Sequence, residues 1–391
     1  MKRAPLSDIL WLFLGTRLLL VACTYFTYIL FPVPPHVYPH TPVDVVGLLT
    51  SWDHWDAERY VHIAQYGYQS IYDTPFFPLL PGLIKGIAFV FGNQGYLAIG
   101  MVISNLALLG TLFVLYQLAT DALGEHVGRR TLLYLCIFPT AFFFFAAYNE
   151  SLFLLFTCSS FLAMRHRKWW LSGLLGLLAA LTRTAGLILA LPYLYEVWAS
   201  RALPADPEQR SGFWRQIWSL VPRALPVLLM PLGTLAYCLF CQYVYGNFFL
   251  FATVQSHWGR LTAWPWMGIA DSFAQLFYIQ PFGSFIEAHL LLDMAATFGF
   301  MALAVVCWRK LRPSYALWIS LLVLYMLISP ALKQQDPLQS NQRFVLEMFP
   351  GFIVLAALGL KHPRLHYACM LAFPFLQAIM AALFVLNRWM V

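Results

Sequence analysis

Charge is what this chain has least of. Asp, Glu, Lys and Arg make up 10% of its 391 residues, where a soluble domain carries about a quarter. With 61% hydrophobic residues and a mean hydropathy of +0.68, that shortage excludes a water-soluble globular domain. Low-complexity runs and internal repeats are also missing, and no matched pair of broken spans recurs in two halves, which weighs against an inverted-repeat transporter. Cysteine is absent from the long polar stretches. All seven (Cys23, Cys136, Cys158, Cys238, Cys241, Cys307, Cys369) lie in or against apolar segments, so no disulfide-stapled exported domain is expected. Cys238 and Cys241 have C-x-x-C spacing, but inside an apolar run and without a second pair, a pattern of packing rather than of redox or metal chemistry. The His residues are scattered, with no D-x-D or H-x-x-H spacing, which predicts chemistry without a metal or other cofactor.

Long apolar runs are what the chain has instead. "ILWLFLGTRLLLVACTYFTYILF" at 9–31 is the first, and roughly 20 such residues suffice to cross the hydrocarbon core as a helix. It follows "MKRAPLSD", is too long for a signal-peptide core and lacks a small-residue cleavage site, so it reads as a retained span. Further spans are expected near 96–119, 131–148, 150–164, 169–182, 184–199, 224–245, 288–308, 314–330, 343–360 and 366–387. The segment "PLLPGLIKGIAFVFG" at 78–92 is short, proline-rich at its start and carries Lys85. Treating it as non-spanning puts the short basic clusters on one side, from Lys2 and Arg3 through Arg129, Arg130, Arg165, Arg167 and Lys168 to Arg309, Lys310, Arg312, Lys361 and Arg364. The positive-inside rule then makes that side cytoplasmic.

The predicted fold is therefore all-α: one integral-membrane domain over 1–391, with about eleven transmembrane helices and interfacial helices in the first outer loop. The net charge of +7 is that of cytoplasmic loops, not of a nucleic-acid surface. The basic loop 200–222, with Trp214 and Trp218, reads as a surface helix on anionic lipid. Long outer segments are expected at 32–95 and 246–287, with a shorter one at 331–342.

Eight basic residues escape this sorting: Arg17, Arg59, Lys85, Arg183, Arg260, Lys333, Arg343 and Arg388. A charge inside a span costs about 2.5–3.5 kcal/mol and needs a partner or a cavity. Arg17, within the first span, is expected to pair with an acid or carbonyl.

"SWDHWDAERY" at 51–60 is the densest polar stretch. Thr50 and Asp53 have the spacing of a capping box, which predicts a helix over about 51–66 with Trp52, Trp55 and Arg59 on one face and the tryptophans at headgroup level. Asp53 then has the plain duty of a capping carboxylate. Asp56 has none, and an acid held at the membrane surface suits a general base towards a hydroxyl. Glu58 points elsewhere. His62 is either a second acid–base group or a hydrogen-bonded structural histidine.

The stretch also carries a resemblance. "WDAERYVHIAQYGY" followed by "FFPLLPGLIK" resembles the first luminal loop of the GPI mannosyltransferase 2 family and its prokaryotic relatives, integral-membrane glycosyltransferases of the GT-C class. "PTAFFFFAAYNESLFLLF", "LTRTAGLILALP", "FATVQSHWGRLTAWPW" and "NQRFVLEMFPGFIVLAALG" follow in the family's order. The resemblance implies that the Asp after Trp is catalytic, which is Asp56. Where relatives often carry Arg before W-D this chain has His54, and it adds Asp53, so the choice between Asp56 and Asp53 stays open.

Other candidates follow from placement. Glu150 opens a span, either as an acid favoured by the helix dipole or as a polar wall of a substrate pocket. Arg183 at a hairpin turn, Arg343 at a span start, Lys333 in the loop before it and Arg260 in "QSHWGRL" are candidate donor-phosphate ligands, Arg because its fork grips phosphate at two points. Gln255, His257 and Trp258 offer a sugar an aromatic platform and fixed hydrogen bonds, or else form an interfacial belt.

Together these features predict an inverting transfer of mannose, or a related hexose, from a polyprenyl or dolichyl phosphate sugar to a glycolipid or other hydroxyl acceptor. No cofactor or nucleic-acid partner is expected, only membrane lipids. The site would lie on the extracytoplasmic or luminal side, in the plasma membrane of a prokaryote or the endoplasmic reticulum of a eukaryote. The rivals are a lipid-linked-sugar transporter or flippase and a structural membrane subunit.

Overall fold

A computed structural model describes residues 5–31, 44–201 and 213–388, with backbone only over 213–217. Trp214 and the predicted surface contacts of residues 202–212 lie outside the described side chains, as does 32–43 of the first outer segment. The described residues form helices and turns and no strand. In chain order the α-helices are α1 (Leu6–Leu30), α2 (Val45–Thr50), α3 (Asp56–Tyr66), α4 (Leu79–Val90), α5 (Tyr96–Leu123) and α6 (Glu125–Ile137). After them come α7 (Glu150–Arg165), α8 (Trp169–Thr182), α9 (Ala190–Ala199), α10 (Phe213–Ala224), α11 (Leu229–Tyr245) and α12 (Leu250–Thr253). The last are α13 (Met267–Ala274), α14 (Phe285–Lys310), α15 (Pro313–Leu327), α16 (Asn341–Phe344), α17 (Phe349–Lys361) and α18 (Pro363–Val385).

The length of α5, 28 residues, corresponds to about 42 Å at the α-helical rise, more than a hydrocarbon core requires. Among the described residues, five helices are long and apolar enough to cross a membrane: those over Leu6–Leu30, Tyr96–Leu123, Trp218–Tyr245, Phe285–Lys310 and Pro363–Val385. The chain is a multi-pass integral membrane protein.

Two expected spans are not continuous helices. The run 131–148 stops being α-helical at Ile137 and continues as a buried turn with a short 3-10 helix over Ala141–Phe144. The run 343–360 breaks at Met348, where Asn341–Glu347 meets Phe349–Lys361 at 87°. A proline lies close to each break, Pro139 and Pro350. The segment 78–92 yields the 12-residue α4, about 18 Å long and too short to span alone.

Close approach packs the bundle. α5 lies on α6 and α7, α7 on α8, and α8 on α11; α14 joins α15 and α17, and α1 runs along α18. A Cβ at Gly233 of α11 would come 2.7 Å from the Leu177 carbonyl of α8, and one at Gly176 would meet Met230 at 2.6 Å. Small residues let these backbones touch, which is how helices gain contact where lipid removes the hydrophobic drive. The turn from α5 into α6 passes through Gly124 at φ 94°, a left-handed conformation open to glycine.

The bundle is polar in charge. At one end α1 and α6 meet through Asp8 and Arg129 at 2.9 Å, and α9 meets the start of α15 through Glu196 and Arg312 at 3.9 Å. Arg129 and Arg312 are half exposed there. The opposite end carries α3, the start of α7, the α8–α9 turn and α16; there Arg183 and Arg343 keep only 17% and 15% of their side-chain surface exposed, while Arg59 of α3 is half exposed.

Candidate functional site

The expected helix over 51–66 begins later, at Asp56, because the chain turns sharply first. Ser51–Trp55 forms a turn after α2, and Trp55 holds φ 57°, a costly conformation for a bulky residue. Trp52 is not at headgroup level. It is 2% exposed, wedged against Phe145 and Phe384 with its Nε1–H donating to Thr24 Oγ1 at 3.1 Å. That anchor fixes the turn from which Asp56 emerges. The Asp56 N–H donates to Tyr148 Oη at 3.2 Å, and Asp56 Oδ2 accepts from Arg343 Nη1 at 2.7 Å. The side chain keeps 29% of its surface exposed.

From this pair a chain of alternating charge runs inward. Arg343 Nε lies 3.4 Å from Glu150 Oε1, which also accepts from Arg183 Nη1 at 3.3 Å; Arg183 in turn meets Glu347 at short range. Glu150 and Glu347 are buried, at 1% and 3% exposure, so removing either partner would leave a charge uncompensated. Arg183, Arg260 and Arg343 crowd one ring, that of Phe344, at 5.0, 5.0 and 5.3 Å from its centroid, within cation–π range. Arg260 is held by carbonyls instead of acids, donating to Ser329 O at 3.0 Å and Gln339 O at 2.8 Å. Burial and the Arg343 charge pull it down to about 10. Three guanidinium groups thus share one hollow with three carboxylates.

The structure brings Asp56, Glu150, Arg183, Arg260 and Arg343 together from five separate stretches of sequence. The other candidates lie apart from this charged chain. Asp53 is no helix cap: it faces a cavity of about 360 Å³ lined by Thr50, Gln65, Asn93, Gln94 and Tyr96, and its Oδ1 is buried without a hydrogen-bond partner. Burial and the nearby Glu58 raise its carboxyl above the ordinary range. His62 is six residues past Asp56, on a different face of α3, with its ring 5.1 Å from Tyr66 and its Nδ1 unpartnered. Lys333 is exposed, tied through its backbone N–H to Gly259 O at 3.4 Å. The His257 ring lies tilted against Tyr72 at 4.3 Å, Trp258 packs edge-on to Phe76 at 6.4 Å, and Gln255 accepts the Arg260 N–H through its main-chain carbonyl. Phe76 in turn packs on Tyr60 at 5.3 Å, so Trp258 reaches the charged hollow only through two rings. Arg17 donates to Asn105 Oδ1 at 3.3 Å, a carbonyl partner as expected.

Sequence reading missed Glu347, Phe344, Tyr60 and Tyr148. Tyr60 lies four residues past Asp56 and Glu347 four past Arg343, the same-face spacing of a helix, which is the signal that could have flagged both. The charges of Asp56 and Glu150 add to burial in raising the Tyr60 hydroxyl well above its ordinary value. A second acidic pair was also missed. Asp336, in the loop before α16, lies near the buried Asp293 of α14, and burial pushes Asp336 up to about 6. Asp293 Oδ1 accepts from the Gln342 N–H at 2.8 Å. Asp293 thereby braces the segment that carries Arg343.

Residues 34–283 match the model of a family described as mannosyltransferase (PIG-V). The GPI alpha-1,6-mannosyltransferase 2 of Mus musculus is 37% identical over 166 residues, 40% of this chain and 34% of that protein. The Homo sapiens protein of the same description is 33% identical over the same shares. The match thus spans about a third of the length of these curated relatives. Among solved structures, ArnT from Cupriavidus metallidurans bound to undecaprenyl phosphate shares the fold, with a TM-score of 0.50 at 15% identity over 94% of this chain and 64% of that one.

Proposed function

The chain belongs to the mannosyltransferase (PIG-V) family, and from that premise we propose that it transfers mannose, or a related hexose, from a polyprenyl or dolichyl phosphate sugar to a hydroxyl of a lipid-linked acceptor. One observation carries this reading: an accessible carboxylate, Asp56, stands against a cluster of three partly buried arginines at one end of a membrane bundle. Asp56 is the general base and takes the proton of the acceptor hydroxyl. The acceptor oxygen attacks the anomeric carbon from the side opposite the phosphate, so the configuration inverts. Arg343, Arg183 and Arg260 face the phosphate, where fixed positive charge in a dry site stabilises the negative charge that develops as the glycosidic bond breaks. Glu150 and Glu347 hold two of those arginines in place. No metal ion takes part.

The prenyl chain lies between helices, and the hollow opens on the extracytoplasmic or luminal side, opposite the exposed basic clusters. Some eleven membrane crossings fit this arrangement. Trp258 and His257, with Phe76 and Tyr72, form an aromatic wall beside the entrance.

The test is transfer by the purified chain in liposomes from radiolabelled polyprenyl-phosphate mannose to a panel of glycolipid acceptors. Label in a glycolipid whose formation disappears in Asp56→Asn supports the reading. Movement of intact donor across the vesicle without transfer would replace it with a flippase.

A further inference from the structure

Of the three arginines in the hollow, only Arg343 has a partner whose charge changes during the proposed reaction. Arg183 lies between Glu150 and Glu347, and Arg260 between two backbone carbonyls; none of these groups gains or loses a proton. Arg343 is bonded to Asp56. In the transfer the acceptor O–H bond breaks and its proton goes to Asp56. The acceptor oxygen bonds to the anomeric carbon, and the electron pair of the broken carbon–oxygen bond stays on the phosphate. Before the step Asp56 and the phosphodiester carry one negative charge each; after it Asp56 is neutral and the phosphate monoester carries two. One unit of negative charge has moved from Asp56 to the phosphate.

We propose, resting on that reading of the site, that Arg343 changes partner during turnover, holding Asp56 before transfer and the leaving phosphate after it. The local build suits a pivot. Arg343 contacts Asp56 through Nη1 and Glu150 through Nε, and neither contact uses Nη2. Glu150, which bonds no substrate atom in the proposed step, serves as the fixed point. The rings of Phe143, Tyr148 and Phe344 surround the guanidinium at 5.5, 5.6 and 5.3 Å, so its charge stays solvated by aromatic faces as it turns. Short α16, entered through Ser340 at φ 71° and left through the bend at Met348, carries it. The consequence is a cation withheld from the donor in the ground state and released as the proton reaches Asp56, which is where differential stabilisation raises kcat.

The experiment measures polyprenyl-phosphate binding, donor binding and kcat on the full chain in nanodiscs. Asp56→Asn, which mimics the protonated acid, should bind the product polyprenyl phosphate about 10-fold tighter than wild type, and the gain should vanish in Asp56→Asn/Arg343→Gln. Arg343→Gln alone should lower kcat by at least ~100-fold with donor Kd changed less than ~5-fold; if it fails to fold, Arg343→Lys is read the same way. Unchanged product affinity in Asp56→Asn, or a loss in Arg343→Gln that falls on donor Kd, would overturn the handover. An inactive Asp56→Asn without tighter product binding sinks the handover and leaves the proposed function standing. Sugar transfer by Asp56→Asn sinks the proposed function itself.

Discussion

Asp53 and Asp56 stand three residues apart on one turn and live in opposite electrostatic worlds. Asp56 is gripped by a guanidinium, with two more arginines gathered around the same phenylalanine ring. Asp53 faces a cavity with no Lys or Arg among its lining residues, beside Glu58, and has an oxygen buried without a partner. The left-handed Trp55 between them separates the two acids. A carboxylate is made useful by what surrounds it: cations for a departing phosphate on one side, desolvation without compensation on the other.

The largest expected effect comes from swapping the two acids' fates. Asp56→Asn should cost at least ~10³-fold in kcat, the range of a lost general base with its charge, while Asp53→Asn stays within about 5-fold; single-turnover sugar transfer reads both. Next are the buried acids. Glu150→Gln should destabilise by about 3–5 kcal/mol, the cost of uncovering a buried charge, with Glu347→Gln behind it; thermal unfolding in detergent ranks them. A smaller effect separates the aspartates by pH. Burial raises the folded-state carboxyl of Asp53, so the charged form is disfavoured in the fold, and its cost grows as pH rises above the ordinary carboxylate range. Asp53→Asn should therefore raise Tm at pH 7, with the gain fading towards pH 4.

Asp336 follows the same sign. Its carboxyl, pushed up to about 6, favours the fold below the unfolded value, and that contribution is lost as pH climbs through 6. Asp336→Asn should flatten Tm between pH 4 and 7. The smallest effect is expected from chelation: EDTA should leave transfer unchanged, and a loss restored by a divalent cation would add a metal to the hollow.

The sequence showed the membrane class and the order of the helices because apolar run length reports burial directly. It could not separate burial from helicity. Phe138–Asn149 is apolar and buried, yet it is largely a turn tied to α16 by Thr140 Oγ1 donating to Gln342 O at 2.6 Å. The same limit hid the bend at Met348. Arg183 and Arg343 stood out as charges without a sorting rule and Glu150 as an acid opening a span, whereas Glu347 was lost inside "FVLEMFP", because its partner Arg183 is 164 residues away in sequence. Gln255, His257 and Trp258 read as sugar ligands by type; in the fold His257 and Trp258 also join the second outer segment to the first through Tyr72 and Phe76.

The most direct measurement is a cryo-EM map of Asp56→Asn in a nanodisc with polyprenyl-phosphate mannose. The phosphate should contact Arg343, Arg183 and Arg260, with the anomeric carbon turned towards residue 56. A donor headgroup resting in the Asp53 cavity, away from those arginines, would contradict it.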